Sequence, residues 1–217
     1  MSGRKLRAVS GLGLILALFG PPAVAFVFRN AAAGDLTANV TAQVGLVLVT
    51  TAVVFIVRFG EGRPLSAIGL GWPRLSSFAW AAVLAAAYAL VAAPIMRSIL
   101  RRVDASGFEP TLRRLAMLPA WYRVVIVVLG GIVEDFLYRG YAFERLSVYL
   151  RSRWGAAVLS ALVFAYAHAP LWGLGVSTAL LIPALLGSFF YVWRRDLAAN
   201  IMAHIATDLL GVVVFNS

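Results

Sequence analysis

The sequence predicts an all-α fold: a polytopic bundle of about seven to eight transmembrane helices, with a carboxy-terminal core of about four. Three observations carry that expectation. The 217 residues are 62% hydrophobic and only 13% charged, whereas a soluble domain is roughly half apolar and a quarter charged. Mean hydropathy is +0.89. The apolar residues come in blocks of about 20 separated by arginine clusters, and a hydrocarbon core of about 30 Å needs a helix of that length to cross it.

The charge balance fits the same class. Nineteen Lys and Arg against nine Asp and Glu give a net charge of +10. In a soluble protein so basic a chain would point to nucleic acid. Here the cations flank the apolar blocks, where they meet lipid headgroups, so the expected partner is a bilayer and not a nucleic acid. Arginine supplies every cation but Lys5, and Ala, Gly and Val abound. That bias points to a GC-rich bacterial genome, and so to a bacterial cytoplasmic membrane. The absence of cysteine excludes disulfides, thiolate nucleophiles and Cys-ligated metals.

Taken in order, the first apolar run covers residues 8–28 and follows Arg4, Lys5 and Arg7. A basic start, an apolar middle and Ala23-Val24-Ala25 also describe a cleavable signal. Apolar residues continue through Phe28 and further spans follow, which favours an uncleaved anchor. A second span is expected over 39–57 and a third over 78–96, with Arg58, Glu61, Arg63, Pro64 and Arg74 in the loop between them. Residues 97–118 are basic and amphipathic, and are read as a surface helix among headgroups. A fourth span starts near Ala120 and runs into Glu134, Asp135 and Arg139. A fifth covers 154–170 with His168, a sixth 171–193 with Gly173, Gly175 and Pro183, and a seventh 197–215 with Asn200, His204 and Asp208. Arginines are denser in the segments that lie inside if the amino terminus is cytoplasmic.

Ionisable groups are expensive in a bilayer, so they face the bundle interior and serve a function. Both histidines of the protein, His168 and His204, lie in apolar helices, together with Glu134, Asp135 and Asp208. Asp135 and Arg139 are four apart and can pair on one helix face, leaving Glu134, about 100° away, free to point elsewhere. His204 and Asp208 are also four apart, and Asn200 extends their stripe. At about 1.5 Å per residue, and with span four helical to about Leu150, Glu134, His168, His204 and Asp208 lie at roughly similar depths. They are candidates for one cavity.

At these residues the sequence resembles the CPBP intramembrane protease family, which includes CAAX prenyl proteases and bacteriocin-processing or immunity proteins. The Glu-Glu-x-x-x-Arg motif corresponds to Glu134-Asp135-Phe136-Leu137-Tyr138-Arg139, with Asp in place of the second Glu. The Phe-x-x-x-His motif corresponds to Phe164 through His168, and His-x-x-x-Asn/Asp to His204 through Asp208. All three occur in order on successive expected helices. The resemblance implies peptide-bond hydrolysis in the membrane, acting on a membrane-associated protein or peptide. Residues 1–118 would then form amino-terminal helices and a basic connector, and residues 119–217 the catalytic core.

The residues suit that chemistry. Without Ser–His or Cys, amide hydrolysis needs an activated water, a proton donor and oxyanion stabilisation. Glu134 is the expected general base, His168 its partner in holding the water, and His204 the oxyanion stabiliser. Asp208 would fix the His204 tautomer, and Arg139 would hold Asp135. A zinc ion held by Glu134, His168 and His204 is the alternative, since His₂Glu is a known catalytic set, although H-E-x-x-H is absent. Rival readings of the chain are a non-proteolytic scaffold or immunity protein of the same fold, and a small transporter or proton relay. The relay would need matched broken helices in repeated halves, which the sequence lacks. A serine protease is disfavoured because Gly187-Ser188 lacks a Gly-x-Ser-x-Gly context.

Overall fold

Long runs of Leu, Val and Ala offer the backbone no partner but itself, and in hydrocarbon an unpaired peptide group is costly. The chain responds with helix throughout. The computed structural model describes residues 3–31 and 34–211. Among these residues eight helices follow one another, with no strand. They are α1 (Gly3–Phe28), α2 (Leu36–Gly60), α3 (Leu75–Leu100), α4 (Phe108–Ala116), α5 (residues 120–150), α6 (Arg153–Ala167), α7 (Ala169–Arg194) and α8 (Leu197–Leu209).

Four of them, α1 from Leu6, α2, α3 and α7, are long and apolar enough to cross a membrane. The expected count of seven or eight is not confirmed on this criterion of length and composition among the described residues. The helix α6 is apolar but shorter, α5 carries charged residues in its middle, and the last helix is described only as far as Gly211. The last residues of the expected seventh span, 212–215, lie outside the described part. Residues 97–118 also depart from the expected single surface helix. Arg97 belongs to the end of α3, Arg101 and Arg102 form a turn, and only Phe108–Ala116 is a separate helix. Large apolar side chains such as Leu12, Phe19, Leu48, Phe78 and Leu90 are exposed along the long helices. On a soluble surface that much exposed apolar area would drive aggregation, but facing lipid it is matched.

Small residues let the helices approach. A Cβ on Gly20 would lie 2.7 Å from Val49, and one on Gly45 3.3 Å from Val24, so glycines draw α1 and α2 together. Gly13 leaves room for the Tyr141 ring, whose Cζ would lie 2.6 Å from an added Cβ. The Tyr141 hydroxyl then donates to Glu61 at 3.0 Å, and Ser10 donates to the same carboxylate at 2.7 Å. Arg145 adds a bidentate pair through Nε at 2.8 Å and Nη2. This node ties α1, the end of α2 and α5 at one end of the bundle. Deeper in, Leu18, Val57, Leu137, Tyr138 and Phe164 share one buried cluster.

The carboxy-terminal helices are joined by very short links, two residues between α5 and α6 and between α7 and α8, and His168 alone between α6 and α7. Ser152 caps α6 by accepting from the Gly155 N–H at 3.0 Å, and Asp196 caps α8 by accepting from Ala199 at 3.0 Å. The other Asp196 oxygen accepts from Ser77 at 2.6 Å, which fastens α3 to α8. The helix α5 is not uniform. It is α-helical to Glu134, π-helical from Asp135 to Ala142, and α-helical again to Leu150. Every residue of the wide segment is buried. Wide turns of this kind concentrate at functional sites because they re-aim side chains.

The Glu61 node makes a testable statement about pH. Burial pushes the Glu61 carboxyl up, but the hydrogen bonds from Arg145 and Ser10 outweigh it and hold the group below its ordinary pKa of 4.5. A depressed folded-state value contributes stability above that ordinary pKa, and the contribution is lost as pH falls through the folded-state value. Thermal unfolding in detergent is therefore expected to lose stability below about pH 4.5, and Glu61→Gln to flatten that part of the curve. An unchanged acid limb in the variant would contradict the assignment.

Candidate active site

The site begins where α5 and α8 cross. A Cβ on Gly131 would lie 2.6 Å from Ile205 Cγ1, so only a glycine allows this approach. One turn further along α5 come Glu134 and Asp135, and beside Ile205 on α8 stands His204. The helix α6 ends at Ala167, which leaves His168 in the cap position before α7 begins. Gly173, at φ 80° and ψ 165°, then breaks the first turn of α7 from the rest.

Asp135 is fully buried and Arg139 nearly so. A charge in such a place needs a partner, and the two form a charge-assisted hydrogen bond from Nη1 to Oδ1. The Arg139 guanidinium also lies over the Phe164 ring, 4.9 Å from its centroid, where a desolvated cation is attracted to the ring face. Phe164 is the hub of the site. Its ring centroid is 5.0 Å from that of His168, 6.2 Å from that of His204 and 5.3 Å from that of Tyr138.

The backbone of Phe164 sets the chemistry of His168. Its carbonyl oxygen is 2.9 Å from His168 Nδ1. A carbonyl can only accept, so Nδ1 carries a proton, and in the neutral ring Nε2 holds the free lone pair. Nε2 faces Glu134 Oε1 at 3.7 Å. The second carboxylate oxygen, Oε2, lies 3.8 Å from His204 Nε2. Glu134 therefore stands between two imidazoles from two other helices, with its side chain 25% exposed. These separations exceed a direct hydrogen bond, and a water bound beside either pair has both groups within reach.

His204 has carboxylates on both sides. Its Nδ1 is 3.6 Å from Asp135 Oδ1, and its Nε2 is 3.4 Å from Asp208 Oδ2. Asp208 thus meets the same nitrogen that faces Glu134, and Asp135 is the carboxylate at Nδ1. The sequence placed Asp208 as the group fixing the tautomer, because an i, i+4 pair is legible on one helix and a contact across helices is not. Glu134, Asp135, Arg139, His168, His204 and Asp208 all meet in this one cluster.

The zinc alternative does not fit this geometry. A zinc ion needs its N and O donors at about 2.0–2.2 Å from a single point. The two oxygens of Glu134 turn to different rings, and among the described residues no group of three or more His, Asp or Glu is arranged to hold a metal ion.

Three neighbours complete the surroundings. Asn200 is buried, and its amide lies 3.4 Å from the Gly187 carbonyl. Gly187 packs against Arg139, whose Nε would lie 2.9 Å from an added Cβ, and the Tyr88 hydroxyl crowds the same point. Sequence reasoning noticed Asn200 and passed over Tyr88. Its signal was depth: Tyr88 is the one tyrosine in α3 and sits near the middle of that span, about 18–20 Å from either end.

Fold and site define a class first: an α-helical membrane bundle with an acid–histidine cluster set among its helices. The family is narrower. Residues 116–210 match the family model described as Type II CAAX prenyl endopeptidase Rce1-like. The matched stretch is just under half of the 217 residues and runs from the end of α4 through α8, so it contains all three motifs. The match agrees with the resemblance that those motifs carry. No curated protein and no solved structure matched the chain.

The buried pair predicts its own energetics. Removing one partner leaves an uncompensated charge in a dry site, which costs about 3–5 kcal/mol. Arg139→Ala should lower unfolding stability in detergent by about that amount, and Asp135→Ala combined with Arg139→Ala should cost less than the two single losses added. Additive losses in the double-mutant cycle would contradict the coupling.

Proposed function

We propose that the chain is an intramembrane endopeptidase that hydrolyses a peptide bond of a membrane-associated protein or peptide, with a water activated by Glu134. The observation that carries this reading is the placement of Glu134 between the Nε2 atoms of His168 and His204, at 3.7 and 3.8 Å. The family matched by residues 116–210 is described as endopeptidases, and it supports the same reaction class.

The steps follow from the donors and acceptors present. A water between Glu134 Oε1 and His168 Nε2 donates one hydrogen to each. Its lone pair then points away from both acceptors, toward a peptide carbonyl lying in the cluster. As the C–O bond forms, the water proton passes to Glu134 and the carbonyl electrons move to oxygen. His204, with Nε2 on the same side of Glu134, donates to that oxyanion. Collapse of the tetrahedral intermediate breaks the C–N bond, and Glu134 returns the proton to the leaving amine. Asp135 stands at the Nδ1 of His204 and Asp208 beside its Nε2, and Arg139 holds Asp135 in place. Phe164 orients His168 through its carbonyl and packs against both rings.

The site sits within the bundle, at a depth served by apolar surfaces, so the substrate arrives through lipid. The matched family is described as CAAX prenyl endopeptidase, so prenylated CAAX peptides belong in the substrate panel beside unmodified single-span peptides.

Purified protein in detergent should cleave a member of that panel. Glu134→Ala and His168→Ala should each lower kcat by at least about 10²-fold, the usual contribution of a general base, with folding intact by thermal unfolding. Wild-type cleavage rates in either variant would overturn the mechanism. Partner-protein stabilisation that persists without Glu134, and no cleavage by the wild type, would establish the scaffold reading instead.

A further inference from the structure

The mechanism above leaves the oxyanion with one donor, His204. Catalytic acyl-transfer sites commonly present two. Asp208, on the next turn of α8, is a poor second donor because an ionised carboxylate only accepts. A neutral donor must come from elsewhere.

We infer that the Tyr88 hydroxyl is that second donor, an inference that rests on the endopeptidase reading. Tyr88 belongs to the π-helical turn of α3, Tyr88–Ala92, and is almost fully buried. Its hydroxyl makes no hydrogen bond among the described residues, so its proton is uncommitted. The charged groups whose electrostatic influence reaches it are Arg139 and Asp208. Gly187 makes the position available. An added Cβ there would collide with the Tyr88 hydroxyl and lie 2.9 and 3.1 Å from Arg139 Nε and Nη2. Two unspent donors, Tyr88 Oη–H and Arg139 Nε–H, thus converge over one bare backbone carbon, and the guanidinium nitrogen is itself buried without a partner.

Arg139 is committed to Asp135 through its Nη1 and is fixed over Phe164, so it cannot follow a moving substrate. Tyr88 can, because a phenol needs only rotation of its O–H to re-aim. When water adds to the peptide carbonyl and negative charge grows on oxygen, Tyr88 donates its hydrogen bond without losing its proton. The proton count of the reaction is unchanged, since the water proton still goes to Glu134 and then to the leaving amine. Tyr88 is in this account a catalytic residue, and Gly187 a positioning residue that keeps its hydroxyl in reach.

The test is Tyr88→Phe, which removes one oxygen and keeps the ring. Loss of a single oxyanion donor costs roughly 10²-fold in kcat, and KM should stay within about two-fold of wild type because the oxyanion exists only during the reaction. A second variant supplies what a packing role could not explain. Asp208→Asn, placed in the Tyr88→Phe background, offers an amide donor near the same point and should recover about 10-fold or more of the lost kcat. Equal kcat in Tyr88→Phe and wild type overturns the inference while leaving Glu134-dependent hydrolysis standing. A lowered kcat that Asp208→Asn does not recover, or one accompanied by a lower unfolding temperature, assigns Tyr88 to packing and also overturns it. Absence of Glu134-dependent cleavage in the wild type removes the underlying reading itself, a result distinct from the other two.

Discussion

The structure depends on keeping Asp135 and Arg139 paired in a place where water cannot reach them. A lone charge at the centre of a bilayer helix costs about 2.5–3.5 kcal/mol on insertion scales, and leaving one of a buried pair alone costs as much or more. The pair satisfies itself along one helix, and its surroundings follow from it. The π-helical segment Asp135–Ala142 keeps both residues buried. Phe164 on α6 accepts the guanidinium on its ring face. Asp135 is held where its Oδ1 also faces His204 on α8. One ion pair thereby fixes the mutual placement of three helices.

The same arrangement separates two adjacent acids by role. Asp135 is sealed and neutralised by Arg139, whereas Glu134 has no guanidinium and keeps part of its side chain accessible. Chemistry requires the second condition and architecture the first. Phe164 connects them, since its carbonyl sets the proton on His168 Nδ1 and thereby turns the free lone pair of the neutral ring toward Glu134. Far from the reacting groups, the Glu61 node and the Asp196 cap with Ser77 fasten the amino-terminal helices to the carboxy-terminal ones. Those helices therefore serve as walls of the site as well as anchors in lipid.

Much of this was legible from the chain alone, for a local reason. The pairing of Asp135 with Arg139, the sharing of a face by Phe164 and His168, and that of His204 with Asp208 are all i, i+4 relations, which any helix imposes. Helical order and the depth of the ionisable groups followed from the rise per residue. What was not legible is set by contacts between helices. No spacing rule reveals that Asp135 rather than Asp208 lies at His204 Nδ1, or that Gly187 admits Tyr88. The surface segment misled for a related reason. Arg97, Arg101 and Arg102 share a charge pattern with Arg113 and Arg114, but a turn divides them, and a charge pattern does not record turns. The number of spans also depends on where helices are interrupted by charge, as in α5.

The central claim is that a water held against Glu134 attacks the peptide carbonyl directly, with no covalent enzyme intermediate. Cleavage of a membrane-embedded peptide in ¹⁸O-water containing hydroxylamine tests it most directly, by mass spectrometry of the new carboxy terminus. The account predicts a carboxylate carrying solvent oxygen and no hydroxamate at any hydroxylamine concentration that leaves the rate unchanged. Hydroxamate rising with hydroxylamine would reveal an acyl-enzyme and contradict the role given to Glu134.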